Sequence, residues 1–150
     1  MVLILPQLNL EQDQYQNKLL DGNILLPARG DKYPARLFNS LDRPVIPVGH
    51  VTIISAQNGI EPGYLAWYLN SQEFQKKIEN ALTGTTIKAL NKSKLLAFAV
   101  QVPTMPVQRT ISHIQKLSAR RLVLQQQKMA LDKLETETVC AKLLFAELGA

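Results

Sequence analysis

The chain has 150 residues, of which 46% are hydrophobic and 19% are charged, and its formal net charge is +5. This composition is sufficient for one buried core and excludes wholesale disorder. The single cysteine, Cys140, excludes an intramolecular disulfide, and no apolar run reaches the length of a membrane span. A cytoplasmic, reducing location without membrane association is therefore predicted.

The first part of the chain is predicted to form short strands separated by turns. Residues 1–10 alternate loosely between apolar and polar side chains, which predicts an edge strand or an extended arm. The apolar run at 24–26 follows an Asp-Gly turn signal and predicts a short buried strand. A polar loop is expected at 31–44, and the β-branched residues within 45–54 predict the next strand.

A helix and a further strand are predicted before the end of this part. Residues 64–80 show a helical period after Pro62, which suits the first turn of a helix. Trp67 and Tyr68 could stack on nucleobases, but aromatic residues beside leucines on a helix are more often core, and we assign them to the core. Residues 95–102 are apolar on both alternating faces and predict a central strand.

The last third of the chain is predicted to be one long helix. Residues 107–148 contain neither proline nor glycine, and at 1.5 Å per residue this length spans about 60 Å. Side chains recur there in heptads, and the second half has the alternation of three and four that is typical of a coiled-coil seam. We expect a dimer interface formed by Leu117, Leu124, Leu131, Leu134, Thr138, Ala141, Phe145 and Leu148. In the alternative, the helix folds back across the sheet of its own chain.

These elements together predict an α+β fold in two parts. Residues 1–104 are expected to form a small mixed domain of sheet and helix, and residues 105–150 a long helix for dimerisation or spacing.

Basic residues are concentrated in the middle of the chain. Between Asn80 and Leu131 there are eight lysines and arginines and no aspartate or glutamate. An acid-free basic stretch of this length is typical of a polyanion-binding surface, although an ordinary solvated face has the same composition.

Motifs of catalysis are missing from the sequence. It contains no glycine-rich phosphate loop, no nucleophile elbow, no Cys/His pairing of the kind found in catalytic triads and no His, Cys or carboxylate cluster at metal-ligand spacing. The chain is therefore predicted to be non-catalytic, without a metal or cofactor.

Three ordered blocks of the chain match motifs of a known family. They are DGNILLPARG at 21–30, PGYLAWYLNS at 62–71, and GTTIKAL at 84–90 followed by VQVP at 100–103 and QRTI at 108–111. Together they resemble the strand and turn, the helix, and the segment leading into the long helix in specificity subunits of type I restriction-modification systems.

The resemblance implies a target-recognition domain followed by a spacer helix, in a subunit with no catalytic residues. In that family two such units usually share one chain, their long helices pack antiparallel, and each domain reads half of a split DNA target. The subunit holds the methyltransferase and restriction subunits. Because this sequence has one unit and lacks the beginning of a complete recognition domain, we expect a partial domain that pairs as a homodimer or with a second specificity half.

On this resemblance, eight residues are expected to contact double-stranded DNA. Phosphate contacts are assigned to Arg29, Lys32, Arg36, Lys88, Lys92 and Lys94, and contacts near the backbone or base edges to Thr85 and Thr86. The alternative is an assembly module that dimerises or binds partner subunits through residues 107–148 without reading DNA.

Overall fold

A computed structural model describes residues 2–4, 9–11, 19–39, 45–82 and 89–148 of the chain. Six short strands and four helices lie in these ranges. They are β1 (Val2–Ile4), β2 (Asn9–Glu11), β3 (Ile24–Pro27), β4 (Arg36–Leu37), β5 (Val51–Ser55), α1 (Pro62–Asn70), α2 (Gln72–Leu82), α3 (Lys92–Leu96), β6 (Ala99–Gln101) and α4 (Met105–Leu148). The predicted α+β class is confirmed.

The strands form two antiparallel sheets. One has four strands in the order β2-β5-β3-β4, and the other pairs β1 with β6. The strand predicted at 24–26 is confirmed as β3, whereas the strand predicted over 45–54 is limited to β5 at its end. Ile24 and Leu26 of β3 and Ile54 of β5 are fully buried, so one face of the larger sheet supplies part of the core.

The helix predicted over 64–80 is wrong as a single element, because the chain breaks at Ser71. The Ser71 backbone is extended and its N–H donates to the Tyr68 carbonyl, which ends α1. Its hydroxyl accepts from the Phe74 N–H at 3.3 Å and its carbonyl from the Gln75 N–H at 2.9 Å, which begins α2. Both helices contribute buried residues to the hydrophobic core, among them Leu65 and Phe74.

The central strand predicted over 95–102 is also wrong. Its first part is the short helix α3, which begins where the Asn91 side chain accepts from the Lys94 N–H at 2.9 Å. Only Ala99–Gln101 is a strand, and Val100 is its one buried residue. An apolar run of this length fits a buried helix turn as well as a strand, and the Asn91 cap favours the helix.

The beginning of α4 belongs to the core of the globular part. Ile111 packs against the hydrophobic core, and the Ser112 hydroxyl occupies the space that a Cβ on Gly63 would need. The chain groups into two compact units, Met1–His113 and Ile114–Ala150. The domain boundary predicted between residues 104 and 105 stays a prediction. No helix in the described ranges is both long and apolar enough to cross a membrane.

Candidate nucleic-acid interface and dimer face

Two basic segments that are distant in sequence meet at one end of the four-stranded sheet. The Leu90 N–H donates to the Ala28 carbonyl at 2.9 Å, and Arg29 forms an antiparallel bridge with Ala89. The Ala28 N–H donates in turn to the His50 carbonyl at 2.9 Å. We call this region, residues 28–36 with His50 and residues 89–94, the basic end of the sheet.

Three of the predicted DNA-contacting residues are exposed on the first of these segments. Arg29, Lys32 and Arg36 all have exposed side chains, and Asp31 is the one acidic residue among them. Guanidinium and ammonium groups donate hydrogen bonds to phosphate oxygens, and arginine does so through two parallel bonds. This segment therefore has the chemistry of a phosphate-binding surface.

The two lysines of α3 have different surroundings. Lys92 is exposed at the first residue of the helix. Lys94 is half-buried, and its Nζ donates to the carbonyl of Ala81 in α2 at 3.4 Å. Lys94 therefore connects α3 to α2, and Lys92 is the more exposed of the two at the basic end.

The remaining predicted contacts, Thr85, Thr86 and Lys88, lie outside the described residues.

His50 is a residue of the basic end that the sequence analysis did not single out. Its exposed side chain precedes β5, and its place next to Ala28 follows from the pairing of Val51 with Pro27. No local pattern marks such a residue, because long-range strand pairing decides its neighbours.

An aromatic groove of about 560 Å³ lies between α1, β6 and the first turns of α4. Tyr68 is buried and Trp67 packs half-buried against the core, which confirms their assignment to the core. The Tyr64 hydroxyl donates to the Gln101 carbonyl at 2.5 Å. Burial raises the pKa of Tyr64, and the nearby Tyr68 adds to the effect. The Tyr64 hydroxyl therefore has a structural role, because its hydrogen bond joins α1 to β6 at the groove.

The first turn of α4 is anchored by a buried amide. Gln108 is 1% exposed, and its Oε1 accepts from the Glu61 N–H at 2.9 Å. Its Nε2 donates to the carbonyls of Gly59 at 3.0 Å and Pro103 at 2.9 Å. One side chain thus joins the start of α4 to the loop before α1.

The predicted dimer face of α4 is exposed wherever its side chains are described. Its large apolar members, Leu117, Leu124, Leu131, Leu134 and Phe145, are 54% to 69% exposed. Thr138 and Ala141 are exposed as well, and the Leu148 side chain lies outside the described residues. A row of exposed apolar side chains at heptad spacing has the pattern of a surface that pairs with another helix.

Comparison of the chain with models of known protein families finds no match, and comparison with curated proteins finds none. Within the described ranges, no group of three or more His, Cys, Asp or Glu side chains has the arrangement of a metal site.

Proposed function

We propose that this chain is a non-catalytic DNA sequence-recognition half-subunit of a type I restriction-modification system. It acts in the cytoplasm as a dimer that positions methyltransferase and restriction subunits on DNA. The observation that carries the proposal is the backbone junction between Ala28–Arg29 and Ala89–Leu90, which brings two basic segments next to each other. The motif resemblance supplies the biological setting.

The charge of the basic end suits a nucleic-acid backbone. Arg29, Lys32, Arg36 and Lys92 are exposed there, and each phosphate that they neutralise releases condensed counterions. Such binding is strong at low salt and weakens steeply as salt rises. It supplies affinity and orientation, whereas recognition of a target sequence requires additional contacts to base edges.

The charge pattern of α4 supports pairing of two chains in antiparallel orientation. Residues 105–131 contain five basic and no acidic residues, and residues 132–148 contain four acidic and two basic residues. Antiparallel helices place the basic half of one chain beside the acidic half of the other, whereas parallel helices place like charges together. The exposed apolar face supplies the seam.

Duplex binding as a function of salt tests the proposal. We expect the full chain to bind a mixed-sequence DNA duplex of about 30 base pairs with log K falling linearly against log[KCl]. Replacement of Arg29, Lys32 and Arg36 by alanine should reduce the slope by about 2.7, at 0.9 per phosphate contact. Fluorescence anisotropy measures both quantities.

Lys76→Ala/Lys77→Ala on α2 is the control, because it removes positive charge outside the basic end and should leave the slope unchanged. Absence of duplex binding at low salt, even with a methyltransferase subunit supplied, would overturn the proposal.

A second candidate function is an assembly module that dimerises or binds partner subunits without reading DNA. The exposed heptad face of α4 favours it, because that face suits a helical partner whether or not the basic end contacts DNA. A chain that forms dimers but binds no duplex would support this function in place of the first.

A further inference from the structure

Two side-chain amides at the break between α1 and α2 hold the backbone of the basic segment. Asn70, the last residue of α1, binds both backbone groups of Ala35. Its Oδ1 accepts from the Ala35 N–H at 2.9 Å, and its Nδ2 donates to the Ala35 carbonyl at 2.7 Å. The same Nδ2 donates to the Ala66 carbonyl at 2.9 Å, which ties the amide back to its own helix. Ala35 is therefore bound as if by a neighbouring strand.

Gln75 makes a matching contact two residues earlier in the segment. Its Nε2 donates to the Tyr33 carbonyl at 2.9 Å and to the Leu69 carbonyl at 2.7 Å. Asn70 and Gln75, which we call the amide clamp, together hold three backbone groups of residues 33–35. The first strand residue after this segment is Arg36, which pairs with Leu25.

The clamp acts on a segment whose side chains alternate between core and solvent. Tyr33 and Ala35 are 3% and 6% exposed, whereas Lys32 and Arg36 are exposed. In an extended chain, alternate side chains face opposite sides, so Lys32 and Arg36 share the outer face. At about 3.3 Å per residue their Cα atoms are up to about 13 Å apart, which is far enough to contact different phosphates.

We propose that Asn70 and Gln75 are positioning residues for phosphate binding, because they hold Lys32 and Arg36 at a fixed spacing for a DNA backbone. This inference rests on the proposed function. Cations on a fixed backbone lose less conformational freedom on binding than cations on a mobile loop, so the clamp raises affinity without touching DNA.

The Asn70 side chain is exposed, so its effect on DNA binding can be measured apart from its effect on folding. Asn70 is exposed although it makes three hydrogen bonds. When its side chain is removed, water can reach the backbone groups of Ala35, so the fold loses little stability. What is lost is the fixed course of the chain between Lys32 and Arg36.

A double-mutant cycle tests the proposal on the full chain with a mixed-sequence DNA duplex. Asn70→Ala/Gln75→Ala should weaken binding about tenfold. It should lower Tm but keep a single cooperative transition, and binding is compared at a temperature well below that Tm. Lys32→Ala/Arg36→Ala should also weaken binding and should reduce the salt slope by about 1.8. Combining all four changes should weaken binding no more than about twofold beyond the Lys32/Arg36 variant alone, because the clamp acts through these two cations.

Gln72→Ala is the matched control, since Gln72 is an exposed amide on α2, the helix of Gln75, and it should bind like the wild type. Losses that multiply in the combined variant would overturn the inference while leaving the proposed function intact. Absence of wild-type duplex binding would overturn both. If the variant with both clamp residues replaced unfolds, Gln75→Ala alone is used in the same cycle. It removes only two hydrogen bonds, to the carbonyls of Tyr33 and Leu69.

Discussion

At the residue scale, the buried side chain of Gln108 makes three hydrogen bonds at the start of α4. Replacement by alanine removes the three hydrogen bonds of this buried side chain, to the Glu61 N–H and to the carbonyls of Gly59 and Pro103. We expect Gln108→Ala to lower the free energy of unfolding by about 3 kcal/mol, measured by urea denaturation.

Gln115→Ala, an exposed amide on the same helix, is the control and should change stability by less than about 0.5 kcal/mol. Equal stability of the two variants would show that water satisfies the groups that Gln108 binds.

Tyr64 is expected to make the free energy of unfolding of the globular part fall at alkaline pH. Its pKa in the folded chain is raised by burial and by Tyr68, so the folded state holds the phenolic proton more tightly than the unfolded state. Stability from this group is present below the unfolded pKa of about 10 and is lost as pH rises through the higher folded pKa. Tyr64→Phe should cost about 1 kcal/mol at pH 7 through the lost bond to Gln101 and should flatten the decline above pH 10.

Urea unfolding of both proteins between pH 7 and pH 11 measures this difference. A decline of equal steepness in Tyr64→Phe would assign the alkaline sensitivity to other groups.

At the scale of elements, the exposed face of α4 predicts self-association. An aspartate at position 134 places a charge in the apolar seam, so Leu134→Asp should weaken dimerisation at least tenfold. Light scattering over a range of protein concentrations measures it. Thr136→Asp introduces the same charge on an exposed residue outside the seam and should remain dimeric. A wild-type chain that is monomeric at every concentration would remove the dimer from both proposed functions.

The elements also show which features local sequence can predict. The long α4 and the strand β3 were predictable, because an uninterrupted helical period and an apolar run after a turn are local signals. The break at Ser71 was not, because apolar spacing continues across it while the serine caps both helices. The run at 95–102 suited strand and helix equally, and the side chain of Asn91 decided its first part.

At the scale of the whole molecule, the candidate site was predictable only in part. The basic residues are visible in the sequence, but their convergence depends on the bond between Leu90 and Ala28 and on the bridge between Arg29 and Ala89. The amide clamp was equally hidden, because Asn70 and Ala35 meet only after α1 packs beside β4. Pairings between distant residues bring the segments of the candidate site together, and composition does not specify these pairings.

The division of the chain into compact units predicts how it can be shortened. A fragment of residues 1–113 keeps Ile111 against the core and the contacts of Gln108 and Ser112 with the segment at 59–63, and it should melt cooperatively. A fragment of residues 1–104 lacks these contacts and should melt at a temperature lower by at least about 10 °C, or without a cooperative transition. Circular dichroism of the two fragments makes the comparison, and equal melting temperatures would show that the first turns of α4 are dispensable.

The anchoring of Gln108 also determines where this chain can be recombined with others. A chimaera that joins the globular part to a foreign helix has to keep residues 105–113 with the globular part, because the buried amide and its three partners would otherwise come from different parents. A crossover after His113 leaves this set intact and changes only the exposed stretch of the helix. If the proposed pairing through α4 holds, exchange of its specificity requires replacement of the helix from Ile114 onward.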